Sequence, residues 1–252
     1  MRRFIIAIFL FPLFVYSQNV DTIFLKLRFK YGNFVLPYRF MLPKSYKKGD
    51  TVKYPLILFL HGAGERGTDN VRQLYYIKSW ATDEFRDTYP CFVLAPQCPK
   101  NMRWVEVDWS LPSHKIPDTP SVPLSATMLL LKHIIEAYPV DTNRIYVTGL
   151  SMGGFGTWDI IAREPNLFAA AVPICGGADL HTAPKIAHIP IWVFHGAKDR
   201  VVSVERSRKM VAELRKYGAK VKYTEYKNVG HGAWIPAYKN KELYKWLFSQ
   251  HK

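Results

Sequence analysis

Three scarcities narrow this chain before any motif is read. Cysteine is rare: three in 252 residues, at Cys91, Cys98 and Cys175. An odd count leaves at least one thiol unpaired, and the extended run between Cys91 and Cys98 would hold those two too far apart to bond. Their spacing fits neither a zinc site nor a redox pair. No disulfide and no cysteine-held metal is therefore expected. Acidic residues are also few, 20 against 35 lysines and arginines, for a net charge of +15. The basic residues are scattered, with only a loose group from Arg206 to Lys222. Nucleic-acid binding needs a clustered stripe, so no nucleic-acid partner is expected. The charge remains compatible with an anionic substrate such as an acidic glycan. Internal repeats and low-complexity tracts are absent, and no second domain is evident.

What is present suits one large α/β domain. Hydrophobic residues make up 48% and aromatics 15% of the chain, ample material for a sheet covered on both faces. The first residues read as a leader rather than as fold. Met1-Arg2-Arg3 is basic, Phe4 to Tyr16 is apolar apart from Pro12, and Val15-Tyr16-Ser17 offers a cleavage site before Gln18. A signal peptide over residues 1–17 and a catalytic domain over 18–252 are expected, with the mature chain secreted or periplasmic. The competing reading, a membrane anchor, meets an apolar run shorter than the roughly 20 residues that cross a bilayer. No stable membrane insertion is expected once the leader is removed.

Further along, strands are expected at Phe34 to Leu42, Tyr54 to Leu60, Phe92 to Ala95, Arg144 to Thr148, Ala169 to Ile174, Ile191 to Phe194 and Val221 to Tyr226. Helices are expected at Leu124 to Tyr138, Phe155 to Arg163, Val204 to Tyr217 and Asn240 to Gln250. Strands that are apolar throughout and alternate with helices imply a mainly parallel sheet wrapped on both sides. Active residues then belong at the carboxyl ends of the strands. The Asn101 to Pro123 stretch, rich in Pro, Trp and Ser, reads as a long loop able to overhang such a site.

One strand end carries the strongest motif. Arg144 to Thr148 runs into Gly149-Leu150-Ser151-Met152-Gly153, and a helix follows. Strand, Gly-x-Ser-x-Gly and helix together make a nucleophile elbow. A serine needs a base, and the base needs an orienting carboxylate. Asp199, just past the Ile191 strand, is assigned as the acid, ahead of Asp179 and Glu205. His231, in Val229-Gly230-His231-Gly232, is assigned as the base. His61 and His195 each begin a His-Gly at a strand end and read as structural. His133 falls mid-helix, and His114, His181, His188 and His251 lie in loops or at the terminus. The oxyanion donors are expected to be the amides of Met152 and Ala63, with Gly62 as the alternative to Ala63. Glu65 and Arg66 either pair to brace that loop or touch substrate. Glu65, Trp104 and Trp234 are the candidate substrate contacts, with Trp109 a further aromatic near them.

With those residues in place the chain resembles the α/β-hydrolase superfamily across nearly all of its mature length. Leu60 to Gly67 (LHGAGERG), Ala95-Pro96-Gln97-Cys98-Pro99, Gly149 to Gly156 (GLSMGGFG) and Gly230 to Trp234 (GHGAW) resemble a narrower group. These are exported bacterial esterases of the predicted-peptidase or phospholipase/carboxylesterase kind, related to feruloyl esterases and polyhydroxybutyrate depolymerases. The resemblance implies serine carboxylic ester hydrolysis through Ser151, His231 and Asp199, without metal or organic cofactor. It implies a small ester or a polysaccharide-linked ester, feruloyl or acetyl, as substrate. Peptidase activity of the prolyl-oligopeptidase kind is a second implication, and a non-catalytic glycan- or protein-binding fold a third reading. Dienelactone hydrolases are similar too, but use cysteine where this chain has Ser151.

Overall fold

The structure is a computed structural model that describes residues 20–252; the leader expected over residues 1–17 lies outside the described residues. Eight strands form one sheet: β1 (Phe24–Tyr31), β2 (Phe34–Met41), β3 (Tyr54–Leu60), β4 (Phe92–Pro96), β5 (Val140–Leu150), β6 (Ala170–Ile174), β7 (Ile191–Gly196) and β8 (Val221–Tyr226). Their order across the sheet is β1-β2-β4-β3-β5-β6-β7-β8. The first two strands run antiparallel to their neighbours, and every pairing from β4 through β8 is parallel.

Eight helices accompany the strands among the described residues: α1 (Val20–Ile23), α2 (Asp83–Thr88), α3 (Val122–Ala137), α4 (Met152–Arg163), α5 (Ala183–Ile186), α6 (Glu205–Lys216), α7 (Trp234–Lys239) and α8 (Lys241–Phe248). Alternate residues of each inner strand feed two separate cores, as a pleated strand buried on both faces must. Leu56, Leu58, Ile145, Val147, Ile191 and Val193 pack with Leu130, Phe155 and Met210 of α3, α4 and α6. Ile57, Phe59, Tyr146, Trp192 and Phe194 face the other way, against Trp80, Phe85, Tyr238 and Leu247.

Register positions the site. Leu60 pairs with Gly149, Leu150 with Ile174, Ile174 with Phe194, and Gly196 with Tyr226. The loops leaving β3, β5, β6, β7 and β8 therefore all emerge along one edge.

Two differences from the sequence reading have simple causes. β1 had no counterpart in it, although Leu25, Leu27, Phe29 and Tyr31 alternate with Lys26, Arg28 and Lys30. It is the outermost strand, bonded on one side only, so half of its side chains stay wet and its basic residues disguise it. The elbow helix begins at Met152 rather than Phe155, because the glycines that lower helix propensity lie inside its first turns.

Candidate active site

The turn between β5 and α4 is tightly constrained. Ser151 sits at φ 52° and ψ −117°, a region that costs a non-glycine residue about 1–3 kcal/mol. Its amide donates to the Ile174 carbonyl at 2.8 Å, which ties the turn to the neighbouring strand. Small residues are obligatory on either side. A Cβ at Gly149 would overlap the Gly153 carbonyl, and one at Gly153 would overlap the Leu60 carbonyl. The serine hydroxyl is thus held at the edge where the other strands end.

Two loops meet it there. The loop after β8 carries His231, whose Nε2 lies 2.8 Å from Ser151 Oγ. The loop after β7 carries Asp199, whose Oδ2 lies 2.7 Å from His231 Nδ1. With a carboxylate at Nδ1, that nitrogen holds the proton and donates it, leaving Nε2 to accept from the serine. The loops are locked to each other: Lys198 donates its amide to the Val229 carbonyl at 3.0 Å. A side chain at Gly196 would overlap the backbone of Val229 and Gly230.

Asp199 is fully enclosed, its side chain 0% exposed. Burial alone would raise its pKa. The donors His195 and His231 and the amides of Val202 and Val201 overcome this and hold it well below the usual carboxylate range. Oδ1 accepts from Val201 and Val202 at 2.8 and 3.0 Å. Oδ2 accepts from His231 and lies 3.1 Å from His195 Nε2, which shares its N–H with the Val202 carbonyl at 3.0 Å. His195 is in turn fixed by Ser207, whose hydroxyl lies 2.7 Å from Nδ1. Sequence reasoning gave His195 a structural role and missed this contact with the carboxylate; its spacing of four residues from Asp199 was the available signal.

The rival residues are placed elsewhere. Asp179 accepts from the amides of Ile116 and His181, so it anchors the 101–123 loop. Glu205 pairs with Arg208 on the surface. His61 is buried, with Nδ1 donating to the Gly62 carbonyl and Nε2 accepting from the Cys98 amide. Ala63 opens a 3-10 turn, Ala63–Glu65, and Met152 opens α4. Neither of those two amides donates to a protein acceptor among the described residues.

The candidate substrate contacts divide. Trp104 requires a correction: it is 0% exposed, donates Nε1 to the His61 carbonyl at 3.0 Å and packs against Gly156, so it is core and reaches no cleft. Trp234 stands perpendicular to His231 at 5.1 Å between ring centroids. Trp109 lies under the Arg103 guanidinium, 4.5 Å away. Glu65 and Arg66 make no ion pair; Arg66 braces the turn alone through the Ala63 and Met102 carbonyls. The 101–123 loop is pinned at several points, by Arg206 to the Asp108 carbonyl and by Arg163 to the Pro117 carbonyl.

The three cysteines are free and buried. Cys175, His195 and Asp199 offer ligand atoms within 4.8 Å of one another. Burial pushes the Cys175 thiol up to about 12, His195 is engaged at both nitrogens, and all of Asp199 is committed. The cluster suits a hydrogen-bond network better than a metal, which needs a thiolate and free lone pairs.

The chain is similar to several known proteins. The Dienelactone hydrolase family matches residues 124–242, which include Ser151, Asp199 and His231. A solved thermostable esterase is 45% identical, with a TM-score of 0.84 over 92% of this chain and 64% of that one. A solved ferulic acid esterase has a TM-score of 0.67 at 18% identity, covering 88% of this chain and 95% of that one, a likeness of fold. A bifunctional acetylxylan esterase/xylanase from Neocallimastix patriciarum is 32% identical over 78 residues, which are 31% of this chain and 12% of that protein. The chain thus spans a small part of that relative and just under two thirds of the thermostable esterase. Sheet order, elbow and structural likeness together give this chain the α/β-hydrolase fold.

Proposed function

We propose that the chain is a serine carboxylic ester hydrolase in which Ser151 is the nucleophile, His231 the general base and Asp199 the orienting carboxylate. The observation that carries the reading is the unbroken hydrogen-bond sequence from Ser151 Oγ through His231 to Asp199. His231 takes the serine proton as Oγ attacks the ester carbonyl. The amides of Met152 and Ala63 stabilise the resulting oxyanion. The carbon–oxygen bond to the alcohol then breaks, and the alcohol departs with the proton held by His231. Water attacks the acyl-serine, gives its proton to the same imidazole, and the acid leaves as Ser151 regains its hydrogen. His195 acts through Asp199: it shares Oδ2 with His231 and keeps the carboxylate from rotating.

Acetyl or feruloyl groups on polysaccharides are the favoured substrates, in line with the names of the acetylxylan esterase and ferulic acid esterase relatives. An exported chain beginning at Gln18 fits that role. The test is hydrolysis of p-nitrophenyl acetate and methyl ferulate beside the matched amides, with Ser151→Ala as control. Turnover of the esters, weaker turnover of the amides and loss of kcat by several orders of magnitude in the variant are expected. A variant retaining more than a tenth of the rate removes Ser151 from the mechanism.

A further inference from the structure

Beside the Ala63–Glu65 turn lies a cavity of about 390 Å³, lined by Gly64, Glu65, Arg72, Tyr75 and Tyr76. That volume is in the range of small-molecule sites. A row of packed rings joins it to the proposed base. Trp234 stands on His231, Tyr76 packs edge-on to Trp234 at 5.5 Å, and Tyr75 packs edge-on to Tyr76 at 4.9 Å. Tyr75 ends the row and is 63% exposed. The Lys78 ammonium lies 5.5 Å from its ring centroid, and much of the side chain stays open to solvent.

Glu65 supplies the polar side of the cavity. Among the described residues no cation pairs with it: Arg66 bonds two carbonyls, and Arg72 Nε pairs with Asp69. Its Oε2 is enclosed and has no hydrogen-bond partner among the described residues. Burial raises the pKa of this carboxyl, the backbone amides of Gly62 and Glu65 offset that only in part, and further hydroxyl donors relieve the cost. An apolar alcohol would leave Glu65 unpaired, while an anionic group would meet its like charge. A neutral sugar ring satisfies both walls, with C–H faces for the tyrosine and hydroxyl edges for the carboxyl.

We propose that this groove is the subsite for the sugar half of the ester, a neutral pyranose stacked on Tyr75 with its hydroxyls on Glu65. The assignment rests on the ester-hydrolase reading above and deepens it. Two arms test it. In the first, unacetylated xylotetraose is titrated into the Ser151→Ala protein by calorimetry, alone and combined with Tyr75→Ala. Saturable binding that weakens at least tenfold when Tyr75 is removed supports the subsite; no saturable binding, or binding unaffected by Tyr75→Ala, overturns it.

The second arm compares kcat/KM for acetylated xylobiose with kcat/KM for p-nitrophenyl acetate. Tyr75→Ala and Glu65→Gln should each lower that ratio at least tenfold, chiefly through KM, and Tyr75→Trp should keep it. Because Tyr75 is exposed, its substitutions spare the fold. A ratio within twofold of the parent in both variants means a water-filled groove only, and sinks the proposal. Failure of the ester reading shows separately, as p-nitrophenyl acetate turnover that persists in Ser151→Ala.

Discussion

His61-Gly62 and His195-Gly196 are the same dipeptide at the ends of two parallel strands, β3 and β7, and both imidazoles are fully buried. Their partners make them different parts. His61 has a backbone carbonyl on one nitrogen and a backbone amide on the other, so it stitches the β3 loop to the β4 loop. His195 has a serine hydroxyl on one nitrogen and, on the other, the Val202 carbonyl and Asp199, the carboxylate that also holds His231. One histidine supports a turn whose amide is the proposed oxyanion donor; the other supports the carboxylate proposed to orient the base. A local pattern settles that a histidine is buried at a strand end. Which atoms it meets there depends on the neighbouring loop: His61 bonds the Cys98 amide, 37 residues on, whereas His195 meets groups within 12 residues of itself.

The largest effect is expected at the acceptor His195 shares with His231. Asp199→Asn keeps the shape but can present its amide N–H to His231, which disfavours the required tautomer. A fall in kcat of roughly 10⁴-fold on p-nitrophenyl acetate is expected, with the fold intact by circular dichroism. A loss under tenfold would mean that Asp199 does not orient the base.

Next come the two histidines themselves. His195→Leu should cost about 10- to 100-fold in kcat with KM little changed, since it removes a donor from Asp199 at one remove from the chemistry. His195→Gln, which retains an N–H donor, should recover most of that loss. His61→Asn should act mainly on stability, lowering Tm by about 4–8 °C for a loss of about 2 kcal/mol. If the two substitutions exchanged phenotypes, the contrast between these corners would be wrong.

The smallest effect is a pH slope. Burial, aided by the Arg66 charge against a weaker opposing bond to Gly62, lowers the His61 pKa to about 4. The unfolded chain takes up this proton near pH 6.5, whereas the native state refuses it until about pH 4. Stability is therefore fully present above 6.5 and falls as pH drops from 6.5 to 4. His114, lowered to about 4 by burial and by Arg206, adds to the same slope. Urea midpoints measured between pH 4 and 7 should fall less steeply in His61→Asn; an unchanged slope would assign the pH dependence to other groups.

Much of this was legible in the chain. Gly149 and Gly153 announce a turn that nothing larger could make, and the apolar strands announce a sheet covered on both faces. The order of Ser151, Asp199 and His231 follows from that topology, and the fold brings the three side chains within hydrogen-bond reach. The rest depended on distant contacts. Trp104 looked like a cleft aromatic, yet Gly156 leaves room behind α4 for its ring, and the His61 carbonyl accepts its N–H. Glu65 and Arg66 are adjacent opposite charges that never meet, because Arg66 turns back to the Ala63 carbonyl. The role of His195 required knowing that Asp199 Oδ2 would have room for two donors.

The most direct test of the account is where a fluorophosphonate probe bonds to the protein. Peptide mass spectrometry after labelling should place a single adduct on Ser151, formed in the unaltered chain and abolished by His231→Ala. An adduct on a different serine, or on Ser151 at an undiminished rate without His231, would contradict a serine activated by that imidazole.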